Sequence, residues 1–337
     1  MNRHEKGNVF FVNRHIFNIF IFIFTFSFFQ TIAYSKLDNN ALKADNLLKE
    51  AGRDFSNGNN KEAREAYHEA RVLYLTEQNY LGEASALRGL GDLERKLGRN
   101  KTAREAYKEA RILYRKVQNH LGEAGVLDGL GDVESNLGNN EEARKFYNEA
   151  IVLYRKVQNR IGEAGALRRL GNFEIKFGNN KEAREAYNEA RVLYRKMQNH
   201  LGEAAVLGGL GDAESKLGNS KEALKFYNEA RLLYRKVGYR IGEAIALREI
   251  GNLERELGNN KEAREAYNEA GVIYQKEHDS QGEAGVAHDL KMLEKNTFFT
   301  SNWIRNIFQF INSNKYWIFS GIVILIIGFL RKFRWRN

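Results

Sequence analysis

The sequence predicts an all-α stack of antiparallel helix pairs with apolar membrane segments at both ends. Three observations predict it. The triplet Gly-Glu-Ala returns at Gly82, Gly122, Gly162, Gly202, Gly242 and Gly282, a fixed step of 40 residues. Between the triplets, small and apolar residues recur at helical spacing. Outside them the composition changes abruptly, to phenylalanine- and isoleucine-rich runs flanked by basic residues.

A chain of 337 residues exceeds one average domain, but a single repeat array accounts for most of that length. Cysteine and proline are both absent, which excludes disulfides, thiolate metal sites and a thiol nucleophile. The net charge of +10 invites a nucleic-acid reading, and its distribution opposes one. Residues 1–35 carry +2 and residues 298–337 carry +6, leaving only +2 for the middle of the chain. Basic charge therefore sits beside apolar segments, where a membrane explains it, and not in a stripe that would track phosphates.

The first apolar run extends from Ile16 to Ala33, after Arg14 and His15. Ala33-Tyr34-Ser35 closes it with small residues two apart, so residues 1–35 read as a secretory signal peptide or an uncleaved N-terminal signal anchor. The second run, Tyr316 to Leu330, predicts a short transmembrane helix over 315–331, with Lys315 and Arg331 snorkelling at its ends. Trp317 and Trp335 suit the two interfaces. Upstream, Phe299, Trp303, Ile304, Ile307, Phe308 and Ile311 predict an interfacial amphipathic segment over 298–314. Arg331, Lys332, Arg334 and Arg336 assign 332–337 to a cytoplasmic tail, and Arg3, Lys6 and Arg14 keep the other end inside. Both ends thus place residues 36–297 outside the cytoplasm. The protein is expected to be single-pass after cleavage, or two-pass without it.

Each 40-residue unit reads as two helices. The first covers about 82–97 and carries Ala84, Leu87, Leu90, Gly91 and Leu97. Gly98 supplies a stop and Asn100 an expected N-cap for the second helix. That helix places Ala103, Tyr107 and Ala110 on one face, followed by Leu113, Tyr114 and Val117. Gly91 and Ala103 allow close backbone approach while Tyr107 fills the gap between hairpins. Neither helix buries its apolar stripe alone, so stacking of neighbours makes the core. Six hairpins plus a capping helix fill 36–297. Leu42 to Asn57 is a degenerate first helix that caps the array, and Ala284 to Lys295 caps the other end.

The recurring set Leu90-Gly91, Gly98, Ala103, Tyr107 and Ala110, returning as Leu130-Gly131, Gly138, Ala143, Tyr147 and Ala150, resembles the tetratricopeptide repeat family over roughly 41–295. The resemblance implies a right-handed superhelical solenoid that binds other proteins. Two departures mark a longer-hairpin variety. Glutamates at 94, 134, 174, 214 and 254 replace the family's aromatic, and Arg115, Arg155, Arg195, Arg235 and Gln275 replace its closing proline.

The Gly-rich stretches, such as Gly89-Leu90-Gly91-Asp92, lie inside predicted helices and lack a following Lys-Ser/Thr pair, so they are packing positions and not phosphate loops. The seven histidines are scattered without metal-ligand spacing. No nucleophile–base constellation stands out, and the reading is a non-enzyme with no cofactor, metal or small-molecule substrate.

In the family, ligands lie in the concave groove lined by the first helix of each hairpin. Carried over by position, the groove residues are Arg88, Asp92 and Arg95, then Asp128 and Asp132, then Arg168 and Asn172, then Asp212, then Arg248, Asn252 and Arg255. One slot, occupied by Arg88, Asp128, Arg168, Gly208 and Arg248, varies while the packing residues repeat. The pairs Arg168/Asn172 and Arg248/Asn252 suit a carboxylate, whereas Asp132 and Asp212 oppose a purely acidic ligand, so a partner protein or peptide of mixed charge is expected. The functional expectation is a membrane-anchored interaction scaffold. A spacer or membrane-shaping array without a ligand, and a tail-anchored cytoplasmic co-chaperone-like adaptor, are the alternatives.

Overall fold

The computed structural model describes residues 40–313, and every regular element among them is a helix. The chain divides into two compact units, Met1–Gln158 and Asn159–Asn337. Unit 1 contains α1 (40–57), α2 (Asn60–Thr76), α3 (Tyr80–Lys96), α4 (Asn100–Lys116), α5 (His120–Leu137) and α6 (Asn140–Lys156). Unit 2 contains α7 (Arg160–Lys176), α8 (Asn180–Lys196), α9 (His200–Lys216), α10 (Ser220–Lys236), α11 (Arg240–Glu256), α12 (Asn260–Lys276) and α13 (Ser280–Ser313). Within each unit, successive helices pack side by side, joined by connections too short for anything but antiparallel neighbours.

The helix boundaries follow from two kinds of turn. First helices end at glycines with left-handed backbone, as at Gly98 (φ 73°) and Gly138 (φ 82°). Second helices end at Gln78, Gln118, Gln158 and Gln198, which adopt positive φ of 53–55° although they are not glycine. The next residue then caps the following helix. Asn79 accepts the Gly82 amide at 2.9 Å, and Asn119 accepts that of Gly122 at 2.8 Å. The expected cap at Asn100 is not found. Asn100 is the first helical residue of α4, and Arg99 holds the cap position without a side-chain bond.

The core between hairpins is built from tyrosine and glycine. Tyr107 of α4 is fully buried, and its ring lies where Cβ atoms on Gly91 of α3 and Gly129 of α5 would stand, both at 2.6 Å. Tyr187 of α8 sits in the same way against Gly171 at 2.6 Å and Gly209 at 2.5 Å. Each ring thus serves its own hairpin and the next, and only the missing side chains make room for it. Leu87, Leu90 and Leu93 of α3, and Leu207 and Leu210 of α9, fill the space around these joints.

Of the glutamates that depart from the family pattern, those at 94, 134, 174 and 214 are buried and paired, and Glu254 is half-buried. Glu94 accepts from Arg64 of α2 at 2.6 Å, and Glu134 accepts from Arg104 of α4 at 2.7 Å and from Asn139 at 2.6 Å. Each therefore ties a first helix to the preceding hairpin. The glutamate of Gly-Glu-Ala is buried as well. Glu123 takes Arg115 and Arg111, while Glu203 takes Arg195 at 2.9 Å, so the arginines in the family's proline position hold the next helix start.

The C-terminal cap differs from expectation. Instead of a capping helix followed by a separate amphipathic segment from 298, one helix runs from Ser280 to Ser313 through that boundary. Phe298 occupies the slot of Gly98 and Gly258, and no glycine or proline follows it before 313, so nothing stops the helix. At 1.5 Å per residue it is about 50 Å long. No helix among the described residues is long and apolar enough to cross a membrane. The expected signal or anchor (1–35), the expected span (315–331) and the tail (332–337) lie outside the described residues.

Two adjacent glycines test this packing. A Cβ on Gly209 would meet the Tyr187 ring, whereas one on Gly208 would meet nothing within 4 Å. Gly209→Ala is expected to destabilise unit 2 by about 1–3 kcal/mol and Gly208→Ala to stabilise it by up to about 1 kcal/mol. Urea unfolding of the two variants reads both signs.

Candidate protein-binding face

The first helices carry two rows of residues at successive 40-residue steps. The inner row is Asp92, Asp132, Asn172, Asp212 and Asn252. Each accepts the hydroxyl of the joint tyrosine fifteen residues later. Tyr107 donates to Asp92 at 2.7 Å, Tyr147 to Asp132 at 2.8 Å and Tyr187 to Asn172 at 2.7 Å. Tyr227 donates to Asp212 at 2.7 Å and Tyr267 to Asn252 at 2.8 Å. Burial, the largest cause, and the nearby Asp92 push the Tyr107 hydroxyl far above its usual range. It therefore stays a donor at any physiological pH. The inner row is thus part of the joint.

The outer row is Arg88, Asp128, Arg168, Gly208 and Arg248. In unit 1, Arg88 is exposed, with its Nη1 3.3 Å from where a Cβ on Gly125 would stand. Asp128 of α5 is buried. Arg95, a third expected groove residue, donates to Asp132 at 3.1 Å and lies 3.8 Å from Asp92, linking the inner rows of α3 and α5. In unit 2, Arg168 is half-buried near Tyr187 and Tyr234. Arg248 donates to Asp289 of α13 at 2.6 Å. Arg255 lies beside the Tyr267 hydroxyl, as Arg95 lies beside that of Tyr107 at 3.3 Å.

The face thus brings together groups that repeat spacing alone did not pair. Asn172 and Asn252 spend their carbonyl oxygens on tyrosines, and Asn252 also donates to Glu249 at 3.1 Å. A ligand carboxylate at Arg248 would share the guanidinium with Asp289, which takes the Nε–H. Asp289 and Glu249 were missing from the expected groove. They occupy the slot held by Gly89, Gly129 and Gly209 elsewhere, and this break in the repeat was their signal in the sequence. Gly208 contributes by its emptiness. It sits in the outer row one hairpin from Arg168 and one from Arg248, with open space where its side chain would be.

Asp212 is electrostatically distinct. Burial raises its carboxyl most, the Tyr227 hydrogen bond opposes that, Glu249 adds to it and Lys216 lowers it, with a net rise to about 6. Its folded value lies above the unfolded value of 3.8, so its contribution to stability is fully present below about pH 4 and is lost as pH rises through 6. Asn is tolerated at this slot, as Asn172 and Asn252 show. Asp212→Asn is therefore expected to stabilise unit 2 by about 2 kcal/mol at pH 7 and by little at pH 4. Denaturant midpoints across that range check the widening difference.

A tetratricopeptide repeat family model matches residues 82–156, 162–236 and 202–276. No curated protein sequence matches the chain. Among solved structures, RapI in its apo form is similar at 12% identity, covering 75% of this chain and 98% of that one, with a TM-score of 0.58. A Rap protein complexed with Competence and Sporulation Factor is similar at 13% identity over 76% of both chains, with a TM-score of 0.55. The tetratricopeptide repeat sensor protein of the STAND signal transduction ATPases from Pyrococcus horikoshii is similar at 18% identity and a TM-score of 0.59. That match covers 80% of this chain and 40% of the other.

Proposed function

Because this chain belongs to the tetratricopeptide repeat family, we propose that it is a membrane-held adaptor whose first-helix faces bind a segment of a partner protein. The fold supports a protein-interaction scaffold. The membrane-held part of the reading rests on the apolar runs Ile16–Ala33 and Tyr316–Leu330. The Rap protein complexed with Competence and Sporulation Factor supports the idea that a stack of this fold holds a partner.

One observation carries the assignment of the face. In unit 2 the outer row has an empty position at Gly208, with Arg168 and Arg248 at the same slot on the hairpins either side. An open floor flanked by two guanidiniums suits a protruding side chain bordered by carboxylate oxygens. The acids beneath and beside it, Asp212 and Asp289, disfavour a uniformly acidic ligand, so the partner segment is of mixed charge. In a mere spacer, this slot would be solvated surface free to take any residue.

Filling the notch tests the reading without disturbing the core. Gly208→Ala, Gly208→Arg and Arg168→Glu are all expected to keep the native helix content and melting cooperativity. Partner capture from the native membrane fraction is expected to survive Gly208→Ala and to fall at least about tenfold with Gly208→Arg or Arg168→Glu, a loss of about 1.4 kcal/mol or more. Equal capture by all four forms would remove this face from the function and leave a spacer.

A further inference from the structure

The connections from each second helix to the next first helix lie together along one edge of unit 1. Asn40, the first residue of α1, donates to Glu77 at 3.1 Å, so the described chain begins at the α2–α3 connection. Lys116 stands 3.4 Å from the centre of the Tyr80 ring, drawing the α4–α5 connection against the α2–α3 one. Lys156 donates to His120 at 3.1 Å and brings in the end of α6.

The chemistry of this edge is one-sided. Leu75, Leu81, Val117, Leu121 and Val157 are exposed at 56%, 46%, 37%, 47% and 36%. The stretch Arg115–Leu121 contains no acid, and Glu77, the sole acid in 75–81, is held by Asn40. The nearby Glu83 and Glu123 are buried beside arginines. The opposite edge mixes signs, with Arg99 and Lys101 at one connection and Glu141 and Glu142 at the next.

Exposed aliphatic side chains interleaved with lysines suit the boundary between headgroups and acyl chains. The aliphatic part of the pattern recurs, at Leu75 and Leu81 and then at Val117 and Leu121, while the lysines stand at Lys116 and Lys156. A folded protein partner presents a different surface to each hairpin, whereas a bilayer is uniform along the edge. Residues 34–39 separate the first apolar run from Asn40 and span about 20 Å at full extension. Whichever membrane holds Ile16–Ala33 is therefore within reach of this edge.

We propose that this edge of unit 1 is a membrane-docking surface that seats on the anionic headgroups of the bilayer holding Ile16–Ala33. The proposal rests on the reading of that run as a retained anchor. Anionic lipid supplies the counter-charge for Lys116 and its neighbours, and the aliphatic residues enter the interface beneath them.

The chain has no cysteine, so single reporters can be placed in the full-length protein. Ser27→Cys in the run, Val117→Cys on the edge and Lys101→Cys on the opposite edge would each carry a polarity-sensitive dye. The labelled proteins would be reconstituted in phosphatidylcholine vesicles with and without phosphatidylglycerol. The Ser27 dye is expected to be lipid-buried in both. The Val117 dye is expected to shift to the blue, and to be quenched by nitroxide lipid, only with phosphatidylglycerol. High salt or an added Lys116→Glu should abolish that shift, and the Lys101 dye should not respond. A buried Ser27 dye with a water-like Val117 dye in both lipids would overturn the docking surface alone. A Ser27 dye that is cleaved off or remains in water would overturn the anchor reading and the proposal with it. A Val117 dye that responds only to added envelope protein would assign the edge to a protein and overturn the lipid assignment.

Discussion

A tyrosine ring lodged between two glycines sets the spacing on which the rest of each unit depends. Tyr107 and Tyr187 each occupy space that side chains on two consecutive first helices would otherwise fill. The ring brings the helices together by burial, and its hydroxyl fixes rotation by bonding to the inner-row acceptor of its own hairpin. One side chain therefore performs both the packing and the registration of the joint. The buried glutamates add a second set of ties at the helix ends. Glu94 and Glu134 reach back to the preceding hairpin, and Glu123 and Glu203 clamp the start of the next first helix.

This division of labour explains which face positions are available for recognition. The inner row is committed to the joint, so Asp92, Asp132 and Asn172 are held by the tyrosine hydroxyls. The outer row does not bond to the joint tyrosines, although Asp128 is buried and Arg248 ties α11 to Asp289 of α13. It can change from arginine to aspartate to glycine between hairpins while the core stays as it is, and such freedom is what a binding surface needs. Acids at 249 and 289, in the slot that holds Gly89, Gly129, Arg169 and Gly209 earlier, carry this variation into the joints of unit 2. Burial, with a smaller contribution from the Glu249 carboxylate, pushes Asp212 there towards neutrality.

The repeat made the fold legible because packing residues must recur when hairpins recur. Gly91, Tyr107 and the turn at Gly98 were readable for that reason, and so was the role of Tyr107 between hairpins. The cap at Asn79 was not, because it depends on Gln78 adopting a positive φ that sequence statistics disfavour. The run of α13 through residue 298 was legible only as an absence, the loss of a glycine from one slot. At the face, position in the repeat put the expected residues on the first helices, where the structure has them. It could not reveal that tyrosine hydroxyls engage the inner row or that Asp289 engages Arg248. The first is a contact within each hairpin and the second a contact between hairpins, and both are set by rotamers and not by spacing. The openness at Gly208 was likewise invisible, since one letter denotes both a packed glycine at 209 and an empty one at 208.

If the tyrosine joint is what unites consecutive hairpins, its removal must be felt in both at once. Native-state hydrogen exchange on Tyr187→Ala tests this most directly, alongside a global loss of about 3–5 kcal/mol. The account predicts that amides of α7 and α9 lose protection together, because Gly171 and Gly209 face the same cavity. Loss confined to α8, with α7 and α9 protected as before, would contradict it.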